Sequence, residues 1–320
     1  RVREVEGIPV DQVCIGSCTN SSYEDLMSVA AVLRGKTVHP HVSLTVTPGT
    51  KQVYTMIAKN GALADLIAAG ARLLEASCGP CCGQGQSPAT GAVSVRSFNR
   101  NFPGRSGTAD AQVYLASPET CAASALSGVI TDPCALGDPI VIEPPARYLV
   151  DDNMILPPAR DAQSVEIICG PNIKPVPVAQ PVSDALRCRV LIKVGDNITT
   201  DHILPSGTHI LSLRSNVPAI SEYMFTAVDP AFVRRAKEWG GGFVVGGLNY
   251  GQGSSRDHAA MAPLYLGVKA ILAKSYARIH YTNLINLGIM PLTFADPDEW
   301  ETLEQGDELE ISDIRAALPA

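Results

Sequence analysis

The chain has 320 residues, 46% of them hydrophobic and 18% charged, which is enough for two or three cored domains and too apolar for a disordered chain. Its net charge is −7, no Lys/Arg run reaches the roughly five to eight residues of a nucleic-acid patch, and no stretch approaches the roughly 18 apolar residues of a membrane helix, so neither partner is expected. Nine cysteines, an odd number in a long chain whose first twenty residues lack an apolar export core, argue against a disulfide framework and for free or metal-bound thiols in a reducing compartment.

Residues 13–16 read as a short apolar strand running into Ser17, Cys18, Thr19 and Asn20. Ser21 and Glu24 have the spacing of a capping box, and Leu26, Val29, Ala30 and Leu33 mark one face of the helix that follows. Residues 42–47 alternate as a strand and stop at Pro48-Gly49. Helical pattern returns over 53–59 and 63–69, with strands expected at 72–76 and 113–116. Ser117, Pro118 and Glu119 supply an N-cap, a proline at the first helical position and an acid in the first turn. Strand–helix alternation of this kind predicts an α/β domain with a parallel sheet over residues 1–143.

Prolines 144, 145, 157, 158, 171, 175, 177 and 181 then crowd one stretch, which reads as an extended connector spanning 144–187. Strands at 189–194, 243–245, 268–273 and 290–294, with helices at 256–266 and 276–287, predict a second, smaller α/β domain over 188–320.

Cys78-Gly-Pro-Cys81 alone fits a redox pair, half a zinc site or part of a cluster site. The glycines and proline around it make a poor helix start, and neither a second C-x-x-C nor a matching histidine pair accompanies it. Cys18 lies in a similar loop, after a strand and before a capped helix. Loops at the carboxyl ends of parallel strands converge, so three thiolates from two such loops can meet there and leave one iron of a cluster open as a Lewis acid.

The segments Ile15-Gly-Ser-Cys-Thr-Asn-Ser21 and Cys78-Gly-Pro-Cys81 followed by Gly83-Gln84 resemble, in order and spacing, the cluster motifs of the aconitase superfamily, which includes aconitases, homoaconitases and isopropylmalate dehydratases. The resemblance implies a three-layer parallel-sheet domain followed by a smaller swivel domain, and a [4Fe–4S] cluster on Cys18, Cys78 and Cys81. Cys14 and Cys82 match no ligand position and are expected to be small buried hydrophobes.

Ser97-Phe-Asn-Arg-Asn-Phe-Pro-Gly-Arg105 carries two isolated guanidiniums whose planar forks suit carboxylates. By the resemblance, Asn99 lies near the cluster, and Arg100 and Arg105 bind substrate. Asn249-Tyr-Gly-Gln-Gly-Ser-Ser-Arg256 is a glycine-rich loop opening a helix, and its N–H groups and Arg256 are suited to stabilising a serine alkoxide. It resembles the family's serine loop, which makes Ser254 the base that takes a carbon-bound proton, with Ser255 and Arg256 binding substrate or tuning that base. Thr199-Thr-Asp-His202 matches a third motif and implies that Asp201 supports the active site, His202 being read as structural. Arg214 fills the place where aconitases read a third carboxylate and isopropylmalate dehydratases are apolar. An arginine facing an isopropyl group would be an unpaired charge.

The resemblance therefore implies a lyase of the tricarboxylic acid cycle acting on a small tricarboxylate. It would be cytoplasmic, or in the mitochondrial matrix of a eukaryote, and would work with an N-terminal half that this sequence does not contain. Homoaconitase or 3-isopropylmalate dehydratase activity is the alternative within the family. A cluster-free RNA-binding protein is the alternative from another class, which the acidic charge disfavours.

Overall fold

Five parallel strands build the first sheet in the computed structural model, which describes residues 1–205, 208–253 and 255–317. They are β1 (Gln12–Ile15), β2 (Ser43–Val46), β3 (Arg72–Leu73), β4 (Val93–Arg96) and β5 (Gln112–Leu115), in the order β3-β2-β1-β4-β5. Every residue of β1 and β4 is buried, as expected for central strands covered on both faces. Alternation sorts the two faces. Val13, Ile15, Leu44, Val46, Val93 and Val95 share a core with the helices Tyr23–Leu33 and Pro118–Ser127 through Leu26, Val29, Leu33, Cys121 and Ala122. Gln12, Cys14, Thr45, Ser94 and Arg96 are buried on the opposite face, where Arg96 donates to the backbone of Pro80 and Gln86.

The helix face expected from Leu26, Val29, Ala30 and Leu33 is the buried face, but the cap is one residue later than expected. Ser22 and Asp25 form the capping box, because the Ser21 hydroxyl is already committed to the Ser17 carbonyl at 2.5 Å. Ser117 caps its helix by accepting from the Thr120 N–H, with Pro118 at the first position. Strand β4 was not expected from the sequence, since Ser94 and Arg96 break its apolar pattern.

The second sheet has the order β10-β6-β7-β8-β9. Its strands are β6 (Leu186–Lys193), β7 (Gly242–Gly246), β8 (Val268–Ala273), β9 (Met290–Thr293) and β10 (Glu308–Ile311). The first four run parallel, and β10, also absent from the sequence expectation, pairs antiparallel to β6 at the edge. Leu191, Val244, Ile271, Phe225, Phe232 and Tyr250 form the centre of its core. The helix expected from 256 begins at His258 and runs to Tyr265, just beyond Pro263.

The chain divides into two compact units, Arg1–Pro158 and Ala159–Ala320. The division falls inside the proline-rich stretch, where a single 3-10 turn, Ala162–Ser164, interrupts residues 137–185. Its first part returns to unit one, with Gln52 donating to the Leu149 carbonyl and Lys51 to Asn153. Its last part lies on unit two, where residues 175–183 and the side chains of Leu264, Tyr265 and Met290 line one groove.

Burial in unit two pushes the His280 imidazole down to about 4, and both ring nitrogens are buried without hydrogen-bond partners. The unfolded chain, with a histidine near 6.5, binds this proton more readily, so stability is full above pH 6.5 and is lost as pH falls toward 4. The expected loss over that window is about 3 kcal/mol. Denaturant unfolding of His280→Phe should show a correspondingly flatter acid branch than the parent. Parallel branches would sink this assignment.

Candidate active site

Strand order makes β1 and β4 adjacent, while the chain leaves β1 toward β2 on one side and reaches β4 on the other. The chain therefore leaves these two neighbouring strands in opposite directions, and the place at their carboxyl ends is the usual ligand position in an open parallel sheet. The loop after β1 carries Cys18, and the loop after β4 carries Asn99 and Arg100. They are stitched together: the Gly16 N–H donates to Ser97 Oγ at 2.8 Å, the Asn20 amide donates to the Ser97 carbonyl, and Asn99 Nδ2 donates to Thr19 Oγ1 at 3.1 Å. Thr19 Oγ1 lies 3.7 Å from Cys18 Sγ. Ser17 holds the first loop with a φ of +100°, a strained value for a side-chain-bearing residue, and its hydroxyl accepts from the N–H groups of Thr19 and Asn20. Such strain is retained where the surrounding structure fixes it, often at functional sites.

Cys78 precedes a 3-10 turn, Gly79–Cys82, that turns Cys81 into the fold beside Cys14 and Phe98. The same turn leaves Cys82 exposed, with its thiol on the Gly79 carbonyl at 3.4 Å, which corrects the expectation that it is buried. Cys14 is buried, and burial pushes its thiol up. Burial, and then the neighbouring thiols of Cys81 and Cys18, push the Cys78 thiol up. Cys18, Cys81 and Cys82 thus all lie within electrostatic reach of Cys78. Among the described residues no three His, Cys, Asp or Glu side chains converge on a single-ion site.

Arg105 is buried and donates from Nη2 to Cys81 Sγ at 3.5 Å, while its Nε is buried without a partner. Arg100 is half-buried and Asn99 exposed. Thr19, inside the first cysteine motif but given no role there, and Arg96, absent from the sequence reading, also belong here. The only signal for Arg96 is a lone charge among the apolar residues of 92–98.

In unit two the loops after β6 and β7 interlock. The Gly251 N–H donates to the Ile198 carbonyl at 2.7 Å, Thr200 N–H to Gln252 O at 2.8 Å, and Asn249 Nδ2 to Asn197 Oδ1 at 3.1 Å. Asp201 and Arg256 form an ion pair at 2.5 Å, with Arg256 Nη1 on the Leu204 carbonyl at 2.9 Å. Thr199 and His202 cap the helix Thr200–Ile203 reciprocally, each accepting the other's N–H at 3.1 Å, so His202 Nδ1 serves the cap. Ser255 is exposed at the end of the loop. Arg214 is exposed, and its carbonyl lies 2.9 Å from His258 Nε2. Ser254 lies outside the described residues.

No helix among the described residues is long and apolar enough to cross a membrane. The family model of the aconitase (aconitate hydratase) family matches residues 2–128, and that of the aconitase C-terminal domain matches 220–297. A probable mitochondrial aconitate hydratase of Dictyostelium discoideum is 34% identical, over 95% of this chain and 46% of its own length. A mitochondrial aconitate hydratase of Saccharomyces cerevisiae is 32% identical, over 95% of this chain and 45% of its own. The chain spans about half the length of the curated relatives it matches. A solved 3-isopropylmalate dehydratase of Methanocaldococcus jannaschii is 34% identical over 41% of this chain and 72% of its own, at a TM-score of 0.35 that carries no argument about geometry. With two family models in order along the sequence and relatives aligned over nearly all of it, the chain belongs to the aconitase superfamily.

Proposed function

We propose that this chain is the cluster- and serine-bearing part of a hydro-lyase that interconverts citrate and isocitrate through cis-aconitate, acting with an N-terminal half, in the cytoplasm or the mitochondrial matrix of a eukaryote. What supports the reading is that Cys18 and Cys81 both lie within electrostatic reach of Cys78, with Asn99 tied into the Cys18 loop and Arg105 on the Cys81 sulfur. The donor set fits a [4Fe–4S] cluster, which when bound supplies a Lewis acid at the iron that three thiolates leave open.

The chain's own residues do the rest. Arg100 and Arg105 bind substrate carboxylates through their planar forks, and the partnerless Arg105 Nε is a donor that an incoming carboxylate satisfies. Arg214 reads the third carboxylate. Ser254 takes the carbon-bound proton, with Ser255 and Arg256 stabilising the charge that develops and Asp201 fixing the Arg256 guanidinium. The N-terminal half supplies the acid that protonates the leaving hydroxyl.

The test is substrate choice in the assembled two-half enzyme. Arg214→Ala removes one charge-assisted contact worth ~1.5–3 kcal/mol, so the citrate KM should rise roughly 10- to 100-fold. An unchanged KM, or a parent enzyme that prefers 3-isopropylmalate, would overturn the tricarboxylate reading.

A further inference from the structure

Arg96 is 1% exposed, and among the described residues no carboxylate pairs with it. Its cation is met by neutral acceptors alone. Nε donates to Ser94 Oγ at 2.9 Å, Nη1 to the Pro80 carbonyl at 2.9 Å, and Nη2 to Gln12 Oε1 at 2.8 Å and to the Gln86 carbonyl at 2.6 Å. The ring of Phe98 lies 6.0 Å from the guanidinium carbon. A buried cation without a counter-ion is costly, and an apolar residue would have filled this strand position more cheaply.

Two of the four acceptors explain its place. Pro80 is the third residue of Cys78-Gly-Pro-Cys81, and Gln86 closes the loop that follows. One planar fork, anchored in the central sheet through Ser94 and Gln12, therefore grips the turn at 80 and again at 86. The thiols of Cys14 and Cys81 also lie within range of its charge.

We infer that Arg96 is a positioning residue, which pins the Cys78–Cys81 turn to β4 through the carbonyls of Pro80 and Gln86 and so holds Cys81 in its buried position. The purpose of this arrangement rests on Cys78 and Cys81 being cluster ligands, whereas its geometry does not. A lysine keeps the charge but cannot span four acceptors with one ammonium. Methionine removes both charge and grip.

The experiment uses the metal-free 320-residue chain under anaerobic conditions. Alkylation by iodoacetamide is followed cysteine by cysteine through peptide mass mapping, in the parent, Arg96→Lys and Arg96→Met. Cys81, 7% exposed, reports the turn; Cys121, fully buried in the helix Pro118–Ser127, reports global opening; exposed Cys18 reports reagent access. In Arg96→Lys, Cys81 should react about tenfold faster while Cys121 and Cys18 keep their rates, as expected for a local opening. An unchanged Cys81 rate overturns the inference. So does a Cys121 rate that rises in step with Cys81, or an Arg96→Lys chain that does not fold, since either makes Arg96 ordinary core support. Arg96→Met is expected to open the turn further, and its failure to fold leaves the lysine variant decisive. Iron and sulfide uptake by the parent, measured in parallel, separates the two ideas. A parent that takes up no sulfide while Cys81 still accelerates in the lysine variant would sink the cluster reading and leave the positioning role standing.

Discussion

Cys78→Ser is expected to reduce iron and acid-labile sulfide to background after anaerobic reconstitution, under conditions in which the parent chain incorporates both. Cluster assembly needs deprotonated sulfur ligands, and a serine hydroxyl is neither soft enough nor ionised near neutral pH. The structure sharpens the expectation by supplying a control one residue from a proposed ligand. Cys82 sits beside Cys81 in sequence, yet the 3-10 turn Gly79–Cys82 sends its side chain outward, so Cys82→Ser should load like the parent. If Cys18, Cys78 and Cys81 are the proposed ligands, loss of any one leaves two, too few to hold three corners of a cubane. Equal loading of Cys78→Ser would remove Cys78 from the ligand set. Zinc without sulfide in the parent would replace the cluster with a structural metal site.

Much of this architecture was legible because it follows from local chemistry. The helix after β5 announces itself through Ser117, Pro118 and Glu119, and the first long helix through Leu26, Val29, Ala30 and Leu33, because caps and 3.6-residue periodicity are written in adjacent residues. What stayed hidden depends on residues distant in sequence. β4 is buried on both faces, yet its second face is polar, with Ser94 bonded to Gln12 and Arg96 to the Pro80 and Gln86 backbone. No hydrophobic pattern reports a polar layer of that kind. β10 is an edge strand of four residues whose Glu308 and Glu310 alternate with Leu309 and Ile311, too short a pattern to stand out until β6 pairs with it. The cap moved from Ser21 to Ser22 because Ser21 is held by Ser17, a residue whose φ of +100° no local rule anticipates. At the site, the motifs put Cys18 and Asn99 in separate loops. It is the adjacency of β1 and β4 that sets those loops against each other, a fact of strand order rather than of spacing.

The same long-range logic makes Gly83→Ala a severe substitution. Gly83 ends the cysteine turn with a φ of +83°, and a Cβ there would lie 2.0 Å from the Ser106 carbonyl oxygen and 2.5 Å from its carbon. Backbone cannot swing aside as a side chain can, so either the turn or the Arg105–Ser106 segment must move. Left-handed strain costs ~1–2 kcal/mol and overpacking a further ~1–3 kcal/mol, giving an expected loss of about 2–5 kcal/mol by denaturant unfolding. Gly85 provides the comparison: its φ is +69°, but a Cβ there meets nothing within 4 Å, so Gly85→Ala carries the backbone strain alone. The difference between the two variants isolates the close approach of the turn to the segment that carries Arg105. Because Arg105 donates to Cys81 Sγ from the residue preceding Ser106, displacing that contact should lower cluster loading in Gly83→Ala and leave Gly85→Ala near the parent. If the two variants matched in stability and in iron uptake, the docking of turn on arginine segment would be incidental, and the Cys81 geometry would have to be held by Arg96 from the sheet side alone.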